Sequence, residues 1–116
     1  MTRTINIAED FTRYPGGRYP RDGEGNGTDF RDRFLVPILK DHDKAVIILD
    51  GAAGYPSSFL DEAFAGLVRN EGFSADVVLA SFELVAKEPG FNRVIEMISR
   101  YVREAGEKKV GAVEAG

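Results

Sequence analysis

Residues 45–68 read AVIILDGAAGYPSSFLDEAFAGLV, an unbroken apolar run joined by a short loop of Gly, Pro and Ser to a stretch with helical spacing. No other part of the chain restricts the fold as much. The run 45–49 lacks the alternation of a half-exposed strand, so it predicts a central parallel strand covered on both faces. Asp50 and Gly51 end it. Ser58 with Asp61 three residues on has the form of a capping box, the Ser oxygen accepting an orphan N–H, and Leu60, Ala63, Phe64 and Leu67 then share one helical face.

Before this unit, Ile5 and Ile7 alternate with Thr4 and Asn6, which predicts a half-buried first strand whose inner face Phe11 continues. Tyr14-Pro15-Gly16-Gly17 has the order of a type II turn, with Arg18 and Tyr19 returning as a short antiparallel strand. The chain therefore opens with a strand or a hairpin. Residues 20–27, PRDGEGNG, are too rich in Gly and charge to pack alone and form a loop. Thr28 is the expected N-cap of the next helix, with Asp29 and Asp32 in its first turn. Phe30, Phe34, Leu35, Ile38 and Leu39 line its buried side, and Pro37 is expected to kink or break it.

After the central helix, Gly72 is a natural stop, and 75–80 (ADVVLA) is expected to be a third apolar strand. Residues 82–87 read as no more than a helical turn. Pro89-Gly90 precedes a last helix in which Phe91, Val94, Ile95, Ile98, Tyr101 and Val102 share a face. Gly106 ends it, so the domain covers 1–106 and residues 107–116 form a disordered tail. The fold class is single-domain α/β: a mixed sheet with an N-terminal strand or hairpin and three strand–helix units joined by right-handed crossovers.

Composition removes several function classes. The net charge of −4 argues against nucleic acid as a partner, since phosphate backbones are held by a Lys and Arg surplus. The absence of cysteine removes disulfides, thiolate catalysis and Cys-ligated zinc. No run approaches the ~20 apolar residues of a membrane span, and MTRTINIAED lacks the apolar core of a signal peptide, so a cytoplasmic location is expected. The only histidine, His42, sits between Asp41 and Asp43, where successive residues point apart, so no metal site is expected. No nucleophile has a visible base, so no enzyme and no cofactor are expected.

Two stretches are candidate sites. Gly23, Gly25 and Gly27, with Arg18 and Arg21 nearby, have the composition of a loop that cradles phosphate through backbone N–H groups, which would make a small-anion or nucleotide sensor. The spacing is that of neither a P-loop nor a dinucleotide fold. The second is the corner formed by Tyr55, Ser57, Ser58, Asp61 and Glu62. A phosphate on Ser58 would gain about 0.3 to 2 kcal/mol from the helix end. At ~6 Å, Asp61 and Glu62 would repel it by roughly 1 to 5 kcal/mol, so capping is the role expected of Ser58.

The order of strand, Gly-Gly-Arg turn, Gly-rich loop, helix opening Asp-Phe-Arg, apolar strand ending in Asp, and then Ser57-Ser58-Phe59-Leu60-Asp61-Glu62-Ala63-Phe64 resembles the STAS-like domains of unknown function. Those are distant relatives of the bacterial anti-sigma-factor antagonists, and the similarity runs over about 5–102. In the antagonists a Ser at the start of the equivalent helix, within Asp-Ser-Ser-Gly, is phosphorylated by an ATP-binding partner with a histidine-kinase-like fold. Ser57 and Ser58 match the serine pair, Tyr55 and Pro56 stand before it in place of an adjacent Asp, and Phe59 replaces the Gly. The resemblance implies a regulatory protein–protein interaction module, with Ser57 and Ser58 as possible phosphorylation sites and Tyr55, Ser57, Ser58, Asp61 and Glu62 as its partner-binding residues.

Overall fold

The computed structural model describes residues 2–115, with side chains through 108. Strand β1 (Thr2–Asn6) leads through a wide helical turn, Ile7–Phe11, and a long loop into helix α1 (27–40). Strand β2 (Lys44–Ile48) follows, then helix α2 (57–69), helix α3 (Ala75–Ser81), strand β3 (Phe82–Val85) and helix α4 (Asn92–Ala115). The strands form one sheet in the order β1-β2-β3, both pairs parallel, with Ile5 opposite Ile47 and Ile47 opposite Leu84. The expected mixed sheet is therefore all parallel among the described residues. No hairpin forms either: β1 ends at Asn6 in the Ile7–Phe11 turn, and residues 12–19 contain no strand.

The third strand lies elsewhere than expected. Residues 75–80 are helical, capped by Ser74, whose Oγ accepts from Val77 N–H at 3.1 Å. The strand is instead Phe82–Val85, with Phe82 buried and Glu83 exposed. A short apolar run does not separate a strand from a helix segment by period, and the Ser cap decides it here.

A parallel sheet stepping in one direction through right-handed crossovers puts its helices on a single face. Ala45, Ile47 and Leu49 face them and are buried, whereas Val46 and Ile48 point the other way and stay half-exposed. The central strand is thus covered on one face only, contrary to the expectation of two. The core lies between sheet and helices and is built around Phe30, Phe59, Phe64, Ile47, Leu49 and Ile98.

Pro37 neither breaks nor ends α1. The turn before it widens so that Val36 N–H donates to Arg31 C=O, which accommodates the missing Pro N–H within a continuous helix. Gly106 does not stop α4 either. A Cβ there would lie 2.8 Å from the Cβ of Ala75, so this glycine serves the close approach of α4 to α3. The helix runs on to Ala115 where a disordered tail was expected from 107, and Gly116 lies outside the described residues.

Candidate functional site

The loops following the strands and the N-termini of α1, α2 and α4 gather at the carboxyl end of the sheet, where ligands of parallel sheets commonly sit. Asp50, just past β2, accepts from Lys87 N–H (2.9 Å) and Glu88 N–H (2.8 Å), and Glu88 Oε1 accepts from Gly51 N–H (2.9 Å). The backbone N–H groups of Glu88 and Lys87 hold the Asp50 carboxyl below its usual range. These bonds pin the loop after β2 to the segment after β3. Tyr55 completes the corner: its ring contacts Phe59 and Phe91 at centroid distances of 6.2 and 5.3 Å, and its hydroxyl donates to Leu49 C=O at 2.7 Å. Burial, with the charges of Asp50 and Glu88, raises its phenol.

Helix α2 starts differently from expectation. Pro56 is its N-cap and offers no side-chain bond, so Ser57 and Ser58 both lie inside the first turn and Ser58 is not the cap. Ser57 is exposed and Ser58 half-buried. Asp61 is not part of a capping box because its carboxylate is drawn sideways, to Arg18 Nη1 at 2.6 Å and Arg69 Nη2 at 3.2 Å. Burial pushes the Asp61 carboxyl up, but the hydrogen bond from Arg18, with the charge of Arg69, outweighs it and holds the group below the usual carboxylate range.

Glu62 was expected at a docking surface but is interior, at 2% exposure. Its carboxylate accepts from Arg31 Nη1 at 2.6 Å and Asn70 Nδ2 at 3.1 Å, and Arg18 stands 3.5 Å away. Arg31 also donates to Glu62 C=O at 3.0 Å and to Asp32 at 3.2 Å. Two glycines make room for this network. A Cβ on Gly66 would overlap Arg31 Nη1, and one on Gly27 would lie 2.8 Å from Phe59 C=O and 2.9 Å from Glu62 Cβ.

The expected anion cradle is closed. Arg18 is engaged by Asp61, Arg21 stacks 4.7 Å from the Tyr19 ring, and Gly23 N–H and Gly27 N–H donate to Pro20 and Gly17 carbonyls. Gly25 is buried, its C=O accepting from Gly16 N–H. The loop is thus strapped onto the helix starts, and Asn26 rather than Thr28 caps α1, its Oδ1 accepting from Asp29 N–H at 2.9 Å. Thr28 instead donates its hydroxyl to Arg18 C=O at 2.8 Å. His42 occupies the exposed turn between α1 and β2, at the opposite end of the sheet, with φ at 53°.

Arg31 and Arg69 escaped the sequence reading. Glu62 gave the usable signal, lying three residues after Phe59 and two before Phe64 within an apolar helix, because a carboxylate at such a position requires a cation.

Fold and site together define a two-layer parallel α/β domain whose polar interior is an arginine–carboxylate network joining the 12–26 loop and α1 to α2. The model for the STAS-like domain of unknown function (DUF4325) matches residues 26–88, more than half of the chain, which therefore belongs to that family. No curated protein and no solved structure matches it. Among the described residues no helix is long and apolar enough to cross a membrane.

Proposed function

We propose that this domain is a non-enzymatic regulatory module that docks a partner protein at the corner formed by Tyr55, Ser57 and Ser58, and that the partner is an ATP-binding protein of histidine-kinase-like fold. A charge placed on Ser57 or Ser58 is the switch. The observation that carries this reading is the exposed Ser57 in the first turn of a helix whose N–H groups have no side-chain cap. Helix-end N–H groups favour an anion. The repulsion expected from Asp61 and Glu62 is compensated, since Arg18, Arg31 and Arg69 hold both carboxylates. Tyr55 serves as the buttress of the corner rather than as a free side chain, because its hydroxyl is committed to Leu49.

The test is titration calorimetry against the product of the neighbouring gene, comparing wild type with Ser57→Asp and Ser58→Asp after each variant is shown to melt normally. Weakened binding by Ser57→Asp supports the corner as interface. Wild-type affinity in both variants removes the corner and its switch together.

A further inference from the structure

The 12–26 loop is fixed without an apolar core of its own. Of its residues only Pro15, Gly25 and Asn26 are buried. Polar bonds hold it instead: Arg13 C=O accepts from Ala53 N–H at 2.8 Å, Tyr14 N–H donates to Thr12 Oγ1 at 3.1 Å, Gly16 N–H donates to Gly25 C=O at 3.0 Å, and the Arg18 guanidinium meets Asp61 at 2.6 Å. What this scaffold displays is aromatic and cationic. Tyr14 is 74% exposed and Tyr19 39%, and the other large apolar side chain so placed among the described residues is Val77, on α3. Arg21 lies over the Tyr19 ring. Arg13 and Arg21 meet no carboxylate among the described residues, unlike Arg3, Arg18, Arg31 and Arg69. Asp22 turns its carboxylate to the Arg18 and Tyr19 N–H groups at 3.0 and 2.9 Å, which leaves Glu24 as the other acid of the loop.

We infer that this loop is a preformed docking surface for a protein face that carries carboxylates, with Tyr14 as its apolar anchor and Arg13 and Arg21 as its cations. Tyr and Arg are enriched among interface anchors, and a rigid support reduces the freedom lost when they bind. The bond from Ala53 to Arg13 sets Tyr14 beside the segment that leads from β2 to Tyr55 and Ser57. The loop thus extends that corner, and its partner is the protein proposed to dock there, a reading on which this one rests. An acidic partner also gives the switch its sign. A negative charge on the exposed Ser57 repels the same carboxylates that Arg13 and Arg21 attract. The chain as a whole carries a net charge of −4, so the attraction is local to this loop and fades as salt screens it.

Titration calorimetry against the product of the neighbouring gene, at low and at high salt, tests this with two variants: Tyr14→Ser, and Arg13→Gln combined with Arg21→Gln. All three side chains are exposed, so both proteins should melt as wild type does. Tyr14→Ser is expected to raise Kd by about tenfold or more. The paired Gln variant is expected to raise Kd at low salt and to lose most of the salt dependence of wild type. Wild-type affinity in Tyr14→Ser, or an unchanged salt dependence in the Gln variant, overturns the proposal. If Ser57→Asp weakens binding while the loop variants do not, the corner stands and the loop surface falls. If only the loop variants weaken it, the loop surface stands and the serine switch falls. A wild type without affinity for that product overturns the proposal, and if it instead holds a labelled single-stranded oligonucleotide that Tyr14→Ser does not, the ligand of the loop is nucleic acid.

Discussion

Replacing Arg31 by Met tests the buried network. The Arg31 and Glu62 side chains are 7% and 3% exposed and meet at 2.6 Å. Removing one member of a buried pair strands the other charge and costs about 3 to 5 kcal/mol. The low end applies here, because Asn70 still donates to Glu62 at 3.1 Å and Arg18 and Arg69 stand 3.5 and 3.7 Å from its other oxygen. The expected loss is thus about 3 kcal/mol. Converting both residues, Arg31→Met with Glu62→Met, removes the stranded charge, and the double variant should return to within ~1 kcal/mol of wild type, a coupling of at least ~2 kcal/mol. Urea melts of the four proteins give these values directly, provided the slopes agree. A single-variant loss below ~1 kcal/mol, or a coupling near zero, would mean that water or rearranged arginines satisfy Glu62 and that the Arg31–Glu62 pair does not hold α1 to α2.

Phe64→Ala should cost about 3 to 5 kcal/mol in the same melts, since Phe64 is fully buried where α2 faces the core. Ser57→Ala and Ser58→Ala should each change stability by no more than ~0.5 kcal/mol, because neither side chain caps α2; a loss near 1 kcal/mol for Ser58→Ala would restore it as the cap. Inorganic phosphate should leave the melting temperature unchanged, as ligand linkage requires of a protein whose Arg18 guanidinium and Gly23 and Gly27 N–H groups are already engaged. The Asp61 carboxyl is depressed in the folded state, so its contribution is present above the unfolded pKa of about 4 and is lost as pH falls through the lower folded value. Arg18→Met should therefore move the acid-unfolding midpoint upward, read by circular dichroism.

What the sequence disclosed was local. The apolar run at 45–49, the stripe of α1 and that of α4 each announce an element through its own period, and Val94, Ile98 and Val102 are buried as their spacing requires. Residues 75–80 misled because five apolar residues around one Asp fit either period, while the deciding signals, Ser74 as cap and the Phe82–Glu83–Leu84 alternation, lay at their ends. The one-sided sheet was hidden for another reason. Val46 and Ile48 are as apolar as their buried neighbours, and only the strand order shows that no helix covers them.

The site was least legible because its partners lie far apart in sequence. Arg18 reaches Asp61 across 43 residues and Arg31 reaches Glu62 across 31, whereas the nearest local explanation for both carboxylates, complementing the helix dipole, was sufficient by itself. Glycine is where the long-range design surfaces in the sequence. Gly66 stands inside a helix, where glycine costs about 1 kcal/mol relative to alanine, and Gly27 is the first residue of one; at both positions something passes close by. At Gly66 it is the Arg31 guanidinium, and at Gly27 it is the backbone of α2 itself. Gly27→Ala should accordingly loosen α1 from Phe59 and Glu62 and expose the loop it anchors. Faster amide exchange at 16–18 and 25–28 than in wild type is the expected sign, and unchanged exchange there would show that the loop is held by its own bonds alone.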